Sequence, residues 1–244
     1  EAGVARDLGY HAVLVSLAAF RDAPDEEAML AHCAALAEAL PVVGFYLQPA
    51  VGGVDLSRAF WTRLAAFEGV IGIKVAPFDR YRTLDVVHGV AASGRADQVS
   101  LYTGNDDHIV LDLVTAVQTA AGPLRMVGGL LGHWSVWTRS AVAILERCRA
   151  ARTLDAVPAD ILTLDAAVTD MNAAVFDVRN GFRGVIAGCH EVLRRQGLLA
   201  GRWCLDPDED LGPGQAREID RVAALHPDLV DDAFVAEHLD RWLA

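Results

Sequence analysis

The sequence predicts an α/β fold in which parallel strands joined by crossover helices precede a purely helical extension. Three observations carry this reading. Short apolar runs of strand length alternate with stretches whose apolar residues recur every three to four positions; residues 153–244 carry only the second pattern; and a 244-residue chain that is 53% hydrophobic can bury a sizeable core.

The elements follow in order. His11 to Ser16 is the first apolar run, and after Pro24-Asp25 the residues Met29, Cys33, Leu36 and Leu40 mark one helix face. Val42 to Tyr46 is the second run, bounded by Pro41 and Pro49, followed by a Gly52-Gly53 turn and a helix with Phe60, Leu64 and Phe67 on its inner side. Val70 to Val75 is the third, with a helix after Pro77. Val99 to Thr103 is the fourth, and Asn105 to Ala120 reads as a helix carrying Ile109, Leu113 and Val117. A glycine-rich fifth run, Met126 to Val136, precedes a helix reaching about Arg152. Consecutive β-α units of this size imply a doubly wound sheet or a (β/α)8 barrel. Beyond them Ile161, Leu164, Val168, Met171 and Val175 form an apolar stripe, a second helix runs from near Asn180 to Gly197, and two more follow Asp206 to Asp210. The expected division is a barrel portion at 1–152 and a helical extension at 153–244.

Composition narrows the function classes. A net charge of −12 and a pI near 5.0 oppose binding to nucleic acid or to an anionic membrane. No apolar run approaches the roughly 18 residues of a membrane span, and there is no secretory leader pattern, so a cytoplasmic protein is expected. Cys33, Cys148, Cys189 and Cys204 are scattered and read as reduced thiols. No histidine pair has metal-ligand spacing, and the glycines form neither G-x-G-x-x-G nor a phosphate loop. Asp206, Asp208, Glu209 and Asp210 carry enough oxygen for a hard cation but read better as a solvated acidic turn.

Chemistry in barrels sits at the C-terminal ends of strands. Lys74 ends the third run and is the only lysine among 21 lysines and arginines. Arginine serves as well for surface charge but cannot lose its proton and attack a carbonyl, so the position that keeps an amine is a candidate nucleophile. Desolvation at the end of an apolar strand lowers the amine's pKa. Tyr46, ending the preceding run, is expected alongside as a proton relay, or else as an aromatic at the core edge. Asn105, Asp106 and Asp107 either join the site or cap the next helix, and acid–base chemistry at Asp106 and His108 is a further reading. The glycines around His133 and Trp134 allow close backbone approach, for a ligand or for packing.

At these residues the chain resembles the dihydrodipicolinate synthase and N-acetylneuraminate lyase family, over nearly its whole length. Tyr46-Leu-Gln-Pro49 is similar to the family's Y-N-x-P, and Gly72-Ile-Lys74 to the G-x-K of its Schiff-base lysine at matching spacing. Gly104-Asn105-Asp106 is similar to G-D/N-D, and Gly129-Leu-Leu-Gly132-His-Trp-Ser135 to G-x-x-G-x-x-S. Asn172-Ala-Ala-Val-Phe176 and Leu193-Arg-Arg-Gln-Gly197-Leu198 are similar to segments of its C-terminal helices.

The resemblance implies a TIM (β/α)8 barrel with a C-terminal helical extension, acting as a lyase, aldolase or dehydratase on pyruvate or a related 2-oxo acid. Lys74 would form the imine, Tyr46 relay protons, and Gly104, Asn105, Trp134 and Phe20 contact substrate. It implies no metal or organic cofactor, and assembly into a dimer or tetramer. If Lys74 ends strand six, the chain covers about strands 4 to 8, and the G-T-T-G-E-type segment that holds the substrate carboxylate lies outside it. The family's proline-tyrosine-tyrosine becomes Ala18-Ala19-Phe20, Leu47 replaces the asparagine after the tyrosine, and the carboxylate-binding arginine falls at about Val51. The alternative is a degenerate, non-catalytic member, or an inactive fragment, with a binding or assembly role.

Overall fold

The computed structural model describes residues 1–130 and 132–244, the side chain of His133 excepted. In chain order the elements are α1 (Ala2–Asp7), β1 (Val13–Val15), α2 (Glu26–Ala37), β2 (Val42–Leu47), α3 (Arg58–Ala66), β3 (Val70–Ala76), α4 (Arg80–Ala92), β4 (Ser100–Thr103) and α5 (Ile109–Val114). There follow β5 (Val117–Thr119), β6 (Gly122–Leu124), β7 (Met126–Gly129), α6 (Gly132–Val136) and α7 (Thr138–Ala151). The last helices are α8 (Ala159–Val175), α9 (Val185–Arg195), α10 (Gln215–Leu225) and α11 (Asp232–Leu243).

Contacts divide the chain into two compact units, and the division does not fall at residue 152. The first comprises Glu1–Asn105 and Thr115–Leu130; the second comprises Asp106–Val114 and Leu131–Ala244, so α5, α6 and α7 group with the C-terminal helices.

The first unit is built on one parallel sheet of order β1-β2-β3-β4-β7. Spatial order follows chain order without reversal, which rules out the doubly wound alternative for these strands, since that arrangement reverses at a switch point. Among the described residues β1 pairs only with β2, and β7 only with β4, so both are edges of this sheet. The helices start where the sequence supplies caps: the Asp25 carboxylate accepts from Glu27 N and Ala28 N, Ser57 Oγ from Phe60 N, and the Asp79 carboxylate from Arg82 N. Helix α4 lies close against α3 at Gly89, where a Cβ would stand 2.7 Å from the Cβ of Trp61.

One expected helix is mostly absent. Of Asn105 to Ala120, only Ile109–Val114 is α-helical, and Val117 and Thr119 belong to the antiparallel β5–β6 hairpin. β-branched residues two apart suit a strand, Gly122 adopts φ 95 in the turn, and Thr119 Oγ1 donates to Gly122 O at 2.6 Å. The fifth run likewise stops early, as β7 ends at Gly129 and Gly132–Val136 is helical.

In the second unit α6, α8, α9 and α10 share a core that includes Val136, Trp137, Met171, Val175, Phe176, Val192, Ile219 and Val222. Gln215 ties the segments together, its Nε2 donating to Val175 O and Gly184 O at 2.9 Å each while Oε1 accepts from Gly212 N. Glu191 on α9 is buried but accepts from Arg194 and Arg195 at 2.8–2.9 Å, with Arg202 3.7 Å away. No helix among the described residues is long and apolar enough to cross a membrane.

The bonds to Arg194 hold the Glu191 carboxyl down at about 2, against the burial that would raise it. A group whose folded pKa lies below its unfolded one stabilises the fold above the unfolded value and loses that contribution as pH falls through the folded one. Acid titration followed by circular dichroism is therefore expected to show a loss of stability as pH falls from about 4.5 towards about 2, and Glu191→Gln is expected to remove that part of the pH dependence.

Candidate active site

Hydrogen-bonded register decides which side chains can meet Lys74. On β2 its Cα partner is Phe45 and on β4 it is Tyr102, whereas Tyr46 pairs with Val75 and Val75 with Thr103. Side chains alternate between the two faces of a strand, so Phe45, Lys74 and Tyr102 share one face and Tyr46, Val75 and Thr103 the other. The second face is buried, as Tyr46, Val75 and Thr103 are each almost inaccessible. The first is partly open, with Phe45, Lys74 and Tyr102 half-buried and Leu14 exposed.

The Lys74 ammonium lies over the Phe45 ring, with Nζ 4.5 Å from its centroid. Burial lowers the amine's pKa from the ordinary lysine value, and no carboxylate pairs with it among the described residues. Its stem passes Gly104, where a Cβ would stand 3.0 Å from Lys74 Cε and 2.9 Å from Ala76 Cβ. The structure thus brings Lys74 and Gly104 together, with the glycine leaving room for the lysine side chain.

Tyr46 is not brought to Lys74, and this corrects the expected pair. Its ring lies 5.0 Å from that of Trp61 on α3. Its hydroxyl donates to Asp55 Oδ1 at 3.1 Å and accepts from Leu56 N at 3.4 Å. Asp55 is in turn paired to Arg82 at 2.5 Å. Burial, with the neighbouring Asp55 carboxylate adding to it, pushes the phenol up to about 12. The period-2 pattern of β2 carried this information, because the residue beside Tyr46, and not Tyr46 itself, alternates onto the half-open face. Phe45 and Tyr102 are the neighbours of Lys74 that spacing alone passed over.

Asn105 is a buried clamp. Its Nδ2 donates to Thr83 Oγ1 and its Oδ1 accepts from Phe78 N, both at 3.1 Å, so it joins the start of α4 to the loop after β3. That loop needs the support, as Phe78 adopts φ 53, a region that non-glycine residues rarely enter. Phe20 follows β1 in a short 3-10 turn, its ring 5.8 Å from that of His32.

The remaining candidates belong to the second unit. Trp134 lies on α6, half-buried, with its carbonyl accepting from Thr138 Oγ1 at 2.6 Å. Asp106 is buried and its carboxyl is pushed up to about 7 by burial, the charge of Asp107 adding to this. His108 faces Asp165 at 3.8 Å. No group of three or more His, Cys, Asp or Glu residues is placed to hold a metal ion among the described residues, and the acidic turn at 206–210 instead pairs Asp210 with Arg202.

A dihydrodipicolinate synthase from Acinetobacter baumannii in complex with pyruvate aligns with a TM-score of 0.69 and 22% identity over 92% of this chain and 68% of that one. The prophage protein YagE of Escherichia coli K12, of the dihydrodipicolinic acid synthase family and also in complex with pyruvate, gives 0.67 and 19% over 92% and 68%. A variant of 2-keto-3-deoxygluconate aldolase from Sulfolobus solfataricus gives 0.66 and 15% over 96% and 71%. The chain has the fold of these proteins. No family model matches the sequence, and no curated protein does. The parallel sheet with its helical extension is therefore that of the TIM-barrel neighbours, at identities that speak for fold alone.

The placement of Tyr46 has a direct consequence. Tyr46→Phe removes the donor to Asp55 and the acceptor of Leu56 N from a buried position, and is expected to cost about 1–2 kcal/mol of stability in urea unfolding. It is expected to leave the reaction of Lys74 with a carbonyl compound at the wild-type rate. A variant of full stability that no longer reacts at Lys74 would return Tyr46 to the site.

Proposed function

We propose that Lys74 forms an imine with pyruvate or a related 2-oxo acid, and that the protein acts as a class I lyase, aldolase or dehydratase in the manner of the dihydrodipicolinate synthase family. The observation that carries this is the sole lysine of the chain, half-buried near the C-terminal end of a parallel strand, its pKa lowered by burial and its amine free of any carboxylate among the described residues. A neutral amine there adds to a ketone carbon and water leaves. The resulting iminium draws electrons from the adjacent carbon, so that carbon can lose a proton and make or break a C–C bond. Fold neighbours in complex with pyruvate support a 2-oxo acid as the ligand class. In this reading β1, β2, β3, β4 and β7 correspond to strands 4 to 8 of a (β/α)8 barrel, the chemistry calls on no metal or organic cofactor, and copies of the chain assemble as a dimer or tetramer in the cytoplasm.

A second reading, a non-catalytic member kept for binding or assembly, draws support from Phe45. The β2 residue that faces Lys74 has no hydroxyl to move a proton, and among the described residues the two sheet edges have no further strand partner.

Incubation with pyruvate, and in parallel with longer 2-oxo acids, followed by borohydride reduction and peptide mass mapping separates the two. The expected result is a reduced adduct on Lys74 that is absent from Lys74→Arg. A protein that gives no adduct with any 2-oxo acid supports the second reading and overturns the first.

A further inference from the structure

We infer that Tyr102 is the proton-transferring phenol of the Lys74 site, taking the place on β4 that Tyr46 and Phe45 leave vacant on β2; this rests on the imine reading above. Imine formation needs such a group. When the Lys74 nitrogen adds to the ketone carbon, the carbonyl π pair goes to oxygen, which must gain a proton while the nitrogen loses one. When the carbinolamine collapses, its hydroxyl must leave as water, which takes a further proton as the nitrogen lone pair forms the C=N bond. A phenol that donates to oxygen and recovers the proton from nitrogen accounts for the first step, and the same phenol donates again in the second.

The four tyrosines of the chain can be sorted by position. Tyr10 and Tyr81 are 63% and 83% exposed, outside the sheet. Tyr46 is on the wrong face, committed to Asp55 and Leu56, and its phenol pKa is raised away from useful acidity. Tyr102 remains. It is the register partner of Lys74 on the adjacent strand, shares its face, is half-buried, and has no hydrogen-bond partner for its hydroxyl among the described residues.

The backbone around Tyr102 is shaped for its ring. Its own register partner on β7 is Gly128, where a Cβ would stand 3.3 Å from the ring's Cδ1 and Cε1. On β3, two residues before Lys74 and on the same face, is Gly72, where a Cβ would stand 3.8 Å from Cε2. Gly128 leaves room for the ring, while at Gly72 the close contact of a Cβ would be with Ser100 O, at 3.0 Å. Phe45 meanwhile contacts the amine from the opposite side. Lys74 thus has an aromatic face beside its amine from β2 and, as its register partner on β4, a phenol-bearing side chain on the same face. A side chain kept only to fill this space would have no need of a hydroxyl.

Tyr102→Phe keeps the ring and removes only the phenol. With pyruvate and borohydride in timed samples, the expected result is an adduct on Lys74 that forms roughly a hundredfold more slowly than in wild type, the lower end of what a positioned acid–base group contributes. The same final yield and an unchanged unfolding midpoint are expected alongside. Wild-type trapping kinetics in Tyr102→Phe would overturn the role of Tyr102 while leaving the imine intact. Absence of any adduct in the wild-type protein would overturn both. Should Tyr102→Phe prove unstable, Tyr102→3-fluorotyrosine, introduced by codon reassignment, lowers the phenol's pKa with little change in shape. The alkaline limb of the trapping rate is then expected to move to lower pH, and an unmoved limb overturns the proposal.

Discussion

Strand register is the constraint on which the rest of this site depends. In a parallel sheet the backbone hydrogen bonds fix which residues lie side by side, and alternation then fixes which of them share a face. A shift of one position on β2 exchanges Phe45 for Tyr46, and with it an apolar wall for a hydroxyl. The observed register puts Phe45, Lys74 and Tyr102 in one row and Tyr46, Val75 and Thr103 in the row facing the helices. Around that row two glycines are placed by need: Gly104 makes room for the lysine stem and Gly128 for the tyrosine ring. The clamp of Asn105 on Phe78 N then secures the loop that follows β3.

The two faces of the sheet have different electrostatic consequences. On the helix side, the Tyr46 hydroxyl, Asp55 and Arg82 satisfy one another, and the phenol is held in its neutral form. On the other side Lys74 has an aromatic ring and no counter-ion among the described residues, so burial acts unopposed and favours the neutral amine that a nucleophile requires. The contrast explains how a structural network and a candidate reactive amine can occupy adjacent registers of the same two strands.

Much of the fold was legible from sequence because apolar periodicity is a local signal. The β-α alternation through Thr103 and the helices after Pro158 are at or near the expected positions. The hairpin at Val117 to Leu124 was not, because Ile109, Leu113 and Val117 continue a helical spacing across the point where β-branching and Gly122 turn the chain back. In the site, Lys74 stood out through composition, since a lone amine among arginines needs no alignment to notice. Its partners did not. The spacing from Tyr46 to Lys74 fits a familiar motif, yet spacing does not specify register, and a one-residue difference across two strands decides the face. Tyr102 carried no motif, and only pairing to Lys74 gives it meaning. The grouping of α5, α6 and α7 with the C-terminal helices was likewise invisible to periodicity, because it depends on which cores those helices share.

The most direct test of the central claim is a crystal structure of the protein soaked with pyruvate. The account expects continuous density from Lys74 Nζ to the C2 atom of the acid, with Phe45 and Tyr102 on either side of it and Tyr46 on the far face against Trp61. Lys74 bare at saturating pyruvate, or Tyr46 turned onto the lysine's face, would contradict it.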